Sequence, residues 1–169
     1  HNWRDSSQWP VSIKVDKLLH HQMKKAGDPT EKAGIIGSWC RRYSIPEAIE
    51  NFLGDVYEPC LEGAGGAENG NGRYTYLHGS TAAGLVVYED KWAYSHHGTD
   101  PAGGKLCNAF DLVRLHYFGL NDEDVETELG GVKTMSLPSY DKMIEFASKD
   151  DGLKVQIGME KLAAAEQDF

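Results

Sequence analysis

The residues best suited to chemistry lie between Tyr94 and Val113, where two adjacent histidines, a threonine, an aspartate and a lysine follow one another. Polar residues end a predicted strand, glycines between Gly98 and Gly104 turn the chain, and a helical apolar pattern follows. A turn of this kind can gather backbone amides and the positive end of a helix around an anion. We therefore expect a phosphate-binding turn that presents unpaired amides together with Lys105. The alternative is that these glycines only reverse the chain.

This segment lacks the patterns of the common catalytic sites. A Walker A loop has a shorter glycine spacing and a hydroxyl where Leu106 stands, so we do not expect ATP hydrolysis. No nucleophile elbow occurs, and we find no carboxylate pair suited to metal-dependent nucleotidyl transfer. We predict no catalytic residue and no cofactor. A metal-dependent hydrolase or nuclease that uses His96, His97 and Asp100 remains the alternative from the enzyme class.

Histidines and a cysteine in the second half raise the question of zinc. Structural zinc sites place their ligands in closely spaced pairs, and no C-x-x-C or H-x₃-H pair is present. Adjacent strand residues also point to opposite faces, which separates His96 from His97. We therefore predict no bound metal. The residues considered are His78, His96, His97, Cys107 and His116.

The net charge of −9 opposes nucleic-acid binding, but the charge is unevenly distributed. Residues 1–60 carry eight basic and eight acidic side chains, and residues 73–119 carry four of each. Residues 120–169 carry twelve acidic and five basic side chains. Because Lys and Arg make the phosphate contacts, we expect the C-terminal part to be the least involved in binding DNA.

Composition also indicates the class of protein. The sequence is 40% hydrophobic with four tryptophans and eight tyrosines, which is typical of a globular chain, and no stretch has the apolar length of a membrane helix. Three cysteines, an odd number, favour a reducing compartment, so we expect the cytoplasm and no membrane contact. The chain begins at His1 without a leader, and we expect an internal segment of a larger protein.

Hydrophobic spacing predicts three helices before a glycine-rich stretch. Apolar residues at three- and four-residue intervals favour a helix from Val11 to Lys25, and a second helix fits residues 31–43. Ser44 resembles an N-cap, with Glu47 three positions later as in a capping box. These last two helices also fit a helix-turn-helix, but an ordinary helical hairpin is favoured because the second helix presents acidic residues.

A change of period after the glycine-rich stretch predicts strands. Residues 73–77, 83–88 and 91–95 are rich in aromatic and β-branched types, with a tight turn at Glu89–Asp90. Helices are then expected at 106–118, 122–129, 139–148 and 152–165. The predicted fold is α+β: an N-terminal helical bundle, a small antiparallel sheet with a packed helix, and C-terminal helices. The predicted domains are a helical module at 1–60, a Gly-rich linker at 61–72, and the sheet with its helices at 73–169.

Three motifs resemble a known family. They are Gly-Ile-Ile-Gly-Ser-Trp-Cys-Arg-Arg-Tyr-Ser-Ile at 34–45, Gly-Ser-Thr-Ala-Ala-Gly-Leu-Val-Val-Tyr at 79–88, and Tyr-Ser-His-His-Gly-Thr-Asp-Pro at 94–101 followed by Cys-Asn-Ala-Phe-Asp-Leu-Val-Arg at 107–114. They are similar to a region of phage and prophage primase-helicases of the virulence-associated E family, over residues 3–119. In that family a primase-polymerase domain lies upstream and a ring-forming helicase domain lies downstream. The resemblance implies replication of phage or mobile-element DNA, with those domains as partners.

A weaker resemblance concerns the second half. Residues 73–120 are similar in outline to the zinc ribbon of bacterial-type primases, in which a hairpin and a Gly-Gly turn lead into a helix beginning with an aromatic-Asp-apolar sequence. Ala109–Val113 matches that helix. Thr75 and Ser95 stand where the resemblance places cysteines, so it implies a degenerate, metal-free ribbon.

These observations together predict a non-catalytic module that contacts single-stranded or primer-template DNA, or links the primase and helicase domains. A structural interdomain module without DNA contact is the alternative from the interaction class. We expect phosphate contacts and base stacking from seven side chains: His96, His97, Thr99, Lys105 and Arg114 for phosphate, and Tyr76 and Trp92 for stacking, with Tyr74 as a further stacking candidate.

Overall fold

A computed structural model describes residues 9–60, 72–79, 82–123 and 137–167 of the chain. Its described residues form an α+β fold with a five-stranded antiparallel sheet and six α-helices. The predicted α+β class is therefore confirmed. The predicted linker at 61–72 and the predicted helix at 122–129 lie almost entirely outside the described residues.

The sheet is a simple meander in which each strand pairs with the next along the chain. Its strands are β1 (Tyr57–Pro59), β2 (Arg73–Tyr76), β3 (Leu85–Tyr88), β4 (Trp92–Ser95) and β5 (Leu106–Cys107). The three central strands match the strands that the sequence predicts. The two edge strands were not predicted: β1 falls in the expected helical region, and β5 takes the residues expected to begin a helix.

The tight turn between β3 and β4 is formed as predicted. Glu89 and Asp90 both adopt positive φ, at 53° and 58°. Two such residues in a row give the turn whose twist matches a two-stranded antiparallel ribbon. The turn sets the register, with Tyr88 opposite Trp92 and Leu85 opposite Ser95.

Alternation along the strands gives the sheet two different faces. Leu85, Val87 and Ala93 are fully buried on the first face. Here α4 (Ala109–Phe118) packs against β4 and β5. The second face carries Val86, Tyr88, Trp92, Tyr94 and His96, because each alternates with a residue of the first face.

The second face is covered by α1 (Trp9–Ala26), which the sequence predicts over 11–25. The ring of His20 meets the ring of Tyr88 edge to face with centroids 5.8 Å apart. Leu19 is 2% exposed, whereas its neighbour Leu18 is 55% exposed. The apolar stripe of α1 is therefore narrower than the sequence spacing suggests.

Two short helices follow α1. A 3-10 turn at Pro29–Glu31 leads into α2 (Gly34–Arg42), and α3 (Ile45–Phe52) follows. The Oγ of Ser44 accepts a hydrogen bond from the amide of Glu47 at 3.3 Å, so the predicted cap is confirmed. This capping contact fixes the start of α3.

The C-terminal helices are α5 (Pro138–Ser148) and α6 (Asp151–Gln167), close to their predicted bounds. Helix α5 packs on α4, and α6 packs on α2. Glu160 ties α6 to α2, because its carboxylate pairs with Arg41 and accepts a hydrogen bond from Ser38 at 2.7 Å.

A single apolar core joins the helices before residue 60 to the sheet and helices after residue 72. Trp39 of α2 is fully buried, and its ring lies 6.5 Å from Phe110 of α4 and 6.3 Å from Phe146 of α5. The residues on the two sides of the predicted linker therefore pack as one structural unit in the part of the chain that the structure describes.

None of the described helices is both long enough and apolar enough to cross a membrane.

Candidate nucleic-acid interface

The glycine-rich loop after β4 folds back on itself and bonds its own amides. The amide of Gly103 donates to the carbonyl of Asp100 at 2.7 Å, and that of Gly104 donates to the carbonyl of Ser95 at 2.9 Å. The amide of Ala102 donates to the Asp100 carboxylate at 2.8 Å, and that of Lys105 to the carbonyl of Ala102 at 3.2 Å. The expectation of a cradle of unpaired amides is therefore wrong, because the loop satisfies its donors internally.

The same carboxylate organises a buried polar network. Tyr57 of β1 donates its hydroxyl proton to Asp100 Oδ2 at 2.6 Å. His116 Nε2, on α4, lies 3.1 Å from Asp100 Oδ1 and 2.6 Å from the Tyr57 hydroxyl. Asp100 is 5% exposed and Tyr57 is 2% exposed. The network thus joins an edge strand, the loop and a helix around one carboxylate.

The electrostatics of this network identify its charged member. Burial alone would raise the pKa of Asp100, but hydrogen bonds from His116, Tyr57, the Ala102 amide and Ser95 outweigh it and lower the pKa. Burial, followed by the hydrogen bond to the Asp100 carboxylate, raises the pKa of Tyr57 above its ordinary range. Asp100 is therefore ionised at neutral pH and Tyr57 is a neutral donor. Since the hydroxyl proton goes to Asp100, the short contact with His116 requires a proton on His116 Nε2.

The two adjacent histidines lie in different surroundings, as the sequence predicts from strand alternation. His97 packs on Tyr76 with the two ring centroids 5.3 Å apart, and its Nδ1 lies 2.9 Å from the Thr99 hydroxyl. A Cβ at Gly79 would lie 2.1 Å from His97 Nε2, so only a glycine leaves room for the ring. His97 is thereby held between two loops.

His96 instead faces the cleft between α1 and the sheet. Its ring lies 4.8 Å from that of Tyr94, and it shares a cleft of about 520 Å³ with Asp16, Arg73 and Tyr88. Burial, and then the charge of Arg73, lower the pKa of His96. We call this cleft the α1 cleft.

No family model matches the chain, and neither a curated protein nor a solved structure is similar enough to count as a relative.

Three of the predicted contact residues lie in the interior instead of on the surface. Arg114 is 5% exposed and donates to Ser139 Oγ at 2.7 Å, with Asp111 at 3.2 Å and Asp122 at 3.5 Å. Tyr76 is 8% exposed and Trp92 is 6% exposed. A buried arginine that is neutralised by two carboxylates has no free face for phosphate, and buried rings cannot stack on bases. The structure therefore gives these three side chains a packing role.

The remaining predicted residues keep accessible surface. His96, Thr99 and Lys105 are exposed, while His97 and Tyr74 are half-buried. They do not converge on one point: His96 lies in the α1 cleft, Thr99 in the loop, and Lys105 directly before edge strand β5.

Among the described residues, no three or more His, Cys, Asp or Glu side chains are grouped so that they could hold a metal ion. Cys40 and Cys107 are buried, and burial raises the pKa of the Cys40 thiol to about 11. A buried thiol with a raised pKa is a packing residue and a poor nucleophile at neutral pH.

Charge is distributed unequally over the two sides of the sheet. Helix α1 carries four lysines and one aspartate in its sequence, and Lys17, Lys24 and Lys25 are exposed. Helices α5 and α6, on the other side, carry five acidic and three basic residues. The basic side therefore combines α1 with the α1 cleft.

Four residues of these sites were not among the predicted contact residues: Tyr57, His116, Arg73 and Asp16. Of these, His116 was considered only as a zinc ligand. Tyr57 stands 43 positions from Asp100 and 59 from His116, so no local spacing signals their contact. For Arg73 the signal is strand alternation. It places Arg73 on the same face as Val86 and Tyr94 once the β2–β3 register is known.

Proposed function

We propose that this chain is a non-catalytic, nucleic-acid-contacting module of a phage-type DNA primase-helicase, working in the cytoplasm beside its primase and helicase domains. The observation that carries the proposal is the basic side of the sheet, where α1 exposes three lysines and Arg73 lines the α1 cleft. Phosphate contacts by lysine and arginine supply most of the affinity of a sequence-independent DNA interface. The motifs shared with the virulence-associated E family supply the replication context.

The contact surface in this proposal differs from the one expected from sequence. It comprises α1, Arg73 and His96, with Lys105 at the sheet edge, and leaves out Arg114, Tyr76 and Trp92. The buried network around Asp100 then has a structural role, because it holds the loop that connects His96 to Lys105. No stacking residue is required for binding that is mainly electrostatic.

We further propose that the sheet descends from a zinc ribbon. Thr75 and Ser95 stand at the two expected metal corners, and their hydroxyls take over local bonding there. Thr75 Oγ1 accepts from the amide of Ala83 at 3.0 Å, and Ser95 Oγ accepts from the amide of His97 at 3.3 Å. Hydrogen bonds of this kind hold the two turns without a metal.

The test is a salt titration of DNA binding by fluorescence anisotropy, with single-stranded and primer-template DNA. The test variant replaces three exposed α1 lysines with glutamine, which keeps helix propensity: Lys17→Gln, Lys24→Gln and Lys25→Gln. The control removes the same charge from the acidic side: Lys142→Gln, Lys149→Gln and Lys161→Gln. Only the first variant should lose affinity, with the salt slope on single strands reduced by about 2, since each phosphate contact contributes about 0.7.

Equal losses in the two triple variants would overturn the proposed surface. Replacing Lys105 alone should lower the slope by about 0.7 if it meets one phosphate. Failure of the unaltered protein to bind either DNA would remove the nucleic-acid function.

A second candidate is an interdomain module that docks on an adjoining domain of the parent protein without touching DNA. One observation favours it: Val155, Met159 and Leu162 form a stripe on α6 and are 62%, 62% and 67% exposed. Stripes of this spacing commonly seat a helix in an apolar groove. Under this candidate, Met159→Ser would weaken association with the helicase or primase domain while leaving DNA titrations unchanged.

A further inference from the structure

The α1 cleft can discriminate between ligands more strictly than an open basic surface can. Its sheet side is built by Arg73, Val86, Tyr88 and His96, and its helix side by Asp16 and Leu19. The volume of about 520 Å³ falls within the range of small-ligand sites and suits a single nucleotide better than a strand of several.

Arg73 provides the positive charge of the cleft and has little else to bind. Its guanidinium donates to the carbonyl of Ala83 through a long 3.4 Å contact. No carboxylate within 4 Å pairs with it among the described residues, in contrast to Arg41, Arg42 and Arg114. An arginine that lines a cavity without a counter-ion can bind a phosphate bidentately.

His96 and Tyr88 stand within the field of that guanidinium. The charge of Arg73 acts to lower the pKa of each of them, although burial raises the pKa of Tyr88 overall. At neutral pH the cleft therefore holds one fixed cation beside a neutral imidazole, which can donate a hydrogen bond. That donor set matches an oxyanion.

The helix side of the cleft has the opposite character. Asp16 lies 3.5 Å from His20 Nε2 and also interacts with the Tyr88 hydroxyl. A carboxylate repels phosphate but accepts hydrogen bonds from the amino group of a base or from a sugar hydroxyl. The apolar wall of Leu19 and Val86 separates the two polar ends.

We propose that the α1 cleft binds a phosphomonoester-bearing nucleotide, with the phosphate on Arg73 and His96 and the nucleoside toward Leu19 and Asp16. This inference rests on the proposed function, since the DNA version of the ligand is a strand end that carries a terminal phosphate. A phosphomonoester carries nearly two charges at neutral pH, whereas an internal phosphodiester carries one. The cleft therefore distinguishes strand ends from continuous strands.

The experiment compares five ligands on the full chain. Three are forms of one oligonucleotide, with a 5′-phosphate, a 3′-phosphate or two hydroxyl ends, and the other two are free deoxyadenosine monophosphate and deoxyadenosine. We expect an end phosphate to tighten binding about tenfold, the order of one charge-assisted contact. Arg73→Ala should abolish that preference, and Lys142→Ala, on the opposite side, should keep it. Asp16→Asn should strengthen phosphate binding, because it removes a repelling charge.

The outcomes separate this inference from the proposed function. Equal binding of all three oligonucleotides would overturn the end-specific cleft while leaving DNA binding intact. Binding of the monophosphate without binding of any oligonucleotide would support the cleft and overturn the DNA function. Chemical shifts of the His96 imidazole give a readout in the unaltered protein: they should move with the monophosphate and not with the nucleoside, and no movement would overturn the proposal even if a variant fails to fold.

Discussion

His96 and His97 are adjacent in the sequence but lie in two regions whose polar groups are arranged differently. On the first face of the sheet, the loop around His97 is tied down by Asp100, which accepts bonds from Tyr57, His116 and the Ala102 amide. On the second face, His96 opens into the α1 cleft beside Arg73. In the first region the polar groups bond to one another, whereas in the second an arginine and an imidazole face a cavity.

The contrast between these two regions distinguishes residues that hold the loop in place from residues that can contact a ligand. In the sequence, His96 and His97 belong to one polar motif, and nothing in that motif favours either of them as the functional residue. The structure assigns Asp100 to holding the loop in place, because a buried carboxylate with satisfied partners has no capacity left for an outside group. Residues with unused bonding capacity lie on the other side of the sheet.

The largest effect is expected from Asp100→Ala. The change leaves the Tyr57 hydroxyl and the Ala102 amide without their acceptor in a buried place, and it removes one of the two partners of His116 Nε2. Unsatisfied buried donors are costly, so we expect the free energy of unfolding to fall by about 3 kcal/mol. Urea denaturation measures it, with exposed Asp141→Ala as the control. A loss below about 1 kcal/mol would show that the loop is not held by this network.

Glycine substitutions probe the same loop at a second position. A Cβ at Gly103 would lie 2.3 Å from the carbonyl oxygen of His97 and 2.9 Å from that of Asp100, both backbone atoms. We expect Gly103→Ala to cost about 2 kcal/mol by forcing the turn apart. Gly98→Ala is the matched control, because nothing lies within 4 Å of its Cβ position. Equal melting temperatures for the two variants would contradict the close packing of the loop.

Local features of this fold were predictable from sequence because their causes are local. The Ser44 cap depends on a residue three positions away, and the Glu89–Asp90 turn depends on its own two residues. The central strands follow from side-chain type. The same reasoning failed at β5, because Leu106 and Cys107 fit a helical pattern as well as a strand, and pairing with β4 decides between them.

The site was less predictable because it depends on distant pairings. Arg114 was expected to reach phosphate, but Asp122 and Ser139 enclose it, and the latter lies 25 positions away. Its place among apolar helix neighbours, Val113 and Leu115, could have indicated burial. Nothing in the sequence placed Asp16 opposite Arg73, because that proximity requires α1 to cross the sheet.

Acid sensitivity offers a smaller test on the α1 side. Asp28, just after α1, bonds Lys91 Nζ at 2.6 Å and the Thr30 amide at 2.9 Å. Its hydrogen bond to Lys91, then that to Thr30, lower the pKa of Asp28 from 3.8 to about 2. A pKa lowered by folding adds stability that is complete above the unfolded value and is lost as pH falls from about 4 to about 2.

We therefore expect Asp28→Asn to flatten the decline in stability across that pH range. The ion pair is partly exposed, so screening should limit the difference to about 1 kcal/mol or less. Thermal melts at pH 5, 4, 3 and 2 measure it, with the exposed Asp55→Asn as the control. An unchanged slope in the Asp28 variant would mean that the tie between α1 and the β3–β4 turn contributes nothing.

The smallest stability effect is expected in the α1 cleft itself, and it makes the contrast between the two regions quantitative. Arg73 is exposed and makes one long contact with the Ala83 carbonyl at 3.4 Å, so Arg73→Ala should change the free energy of unfolding by no more than about 0.5 kcal/mol. Urea denaturation beside Asp100→Ala measures both under the same conditions. A residue that binds a ligand but makes few contacts within the protein can be replaced with little loss of stability. A loss for Arg73→Ala as large as that for Asp100→Ala would instead make Arg73 a structural residue, and the two regions would no longer differ.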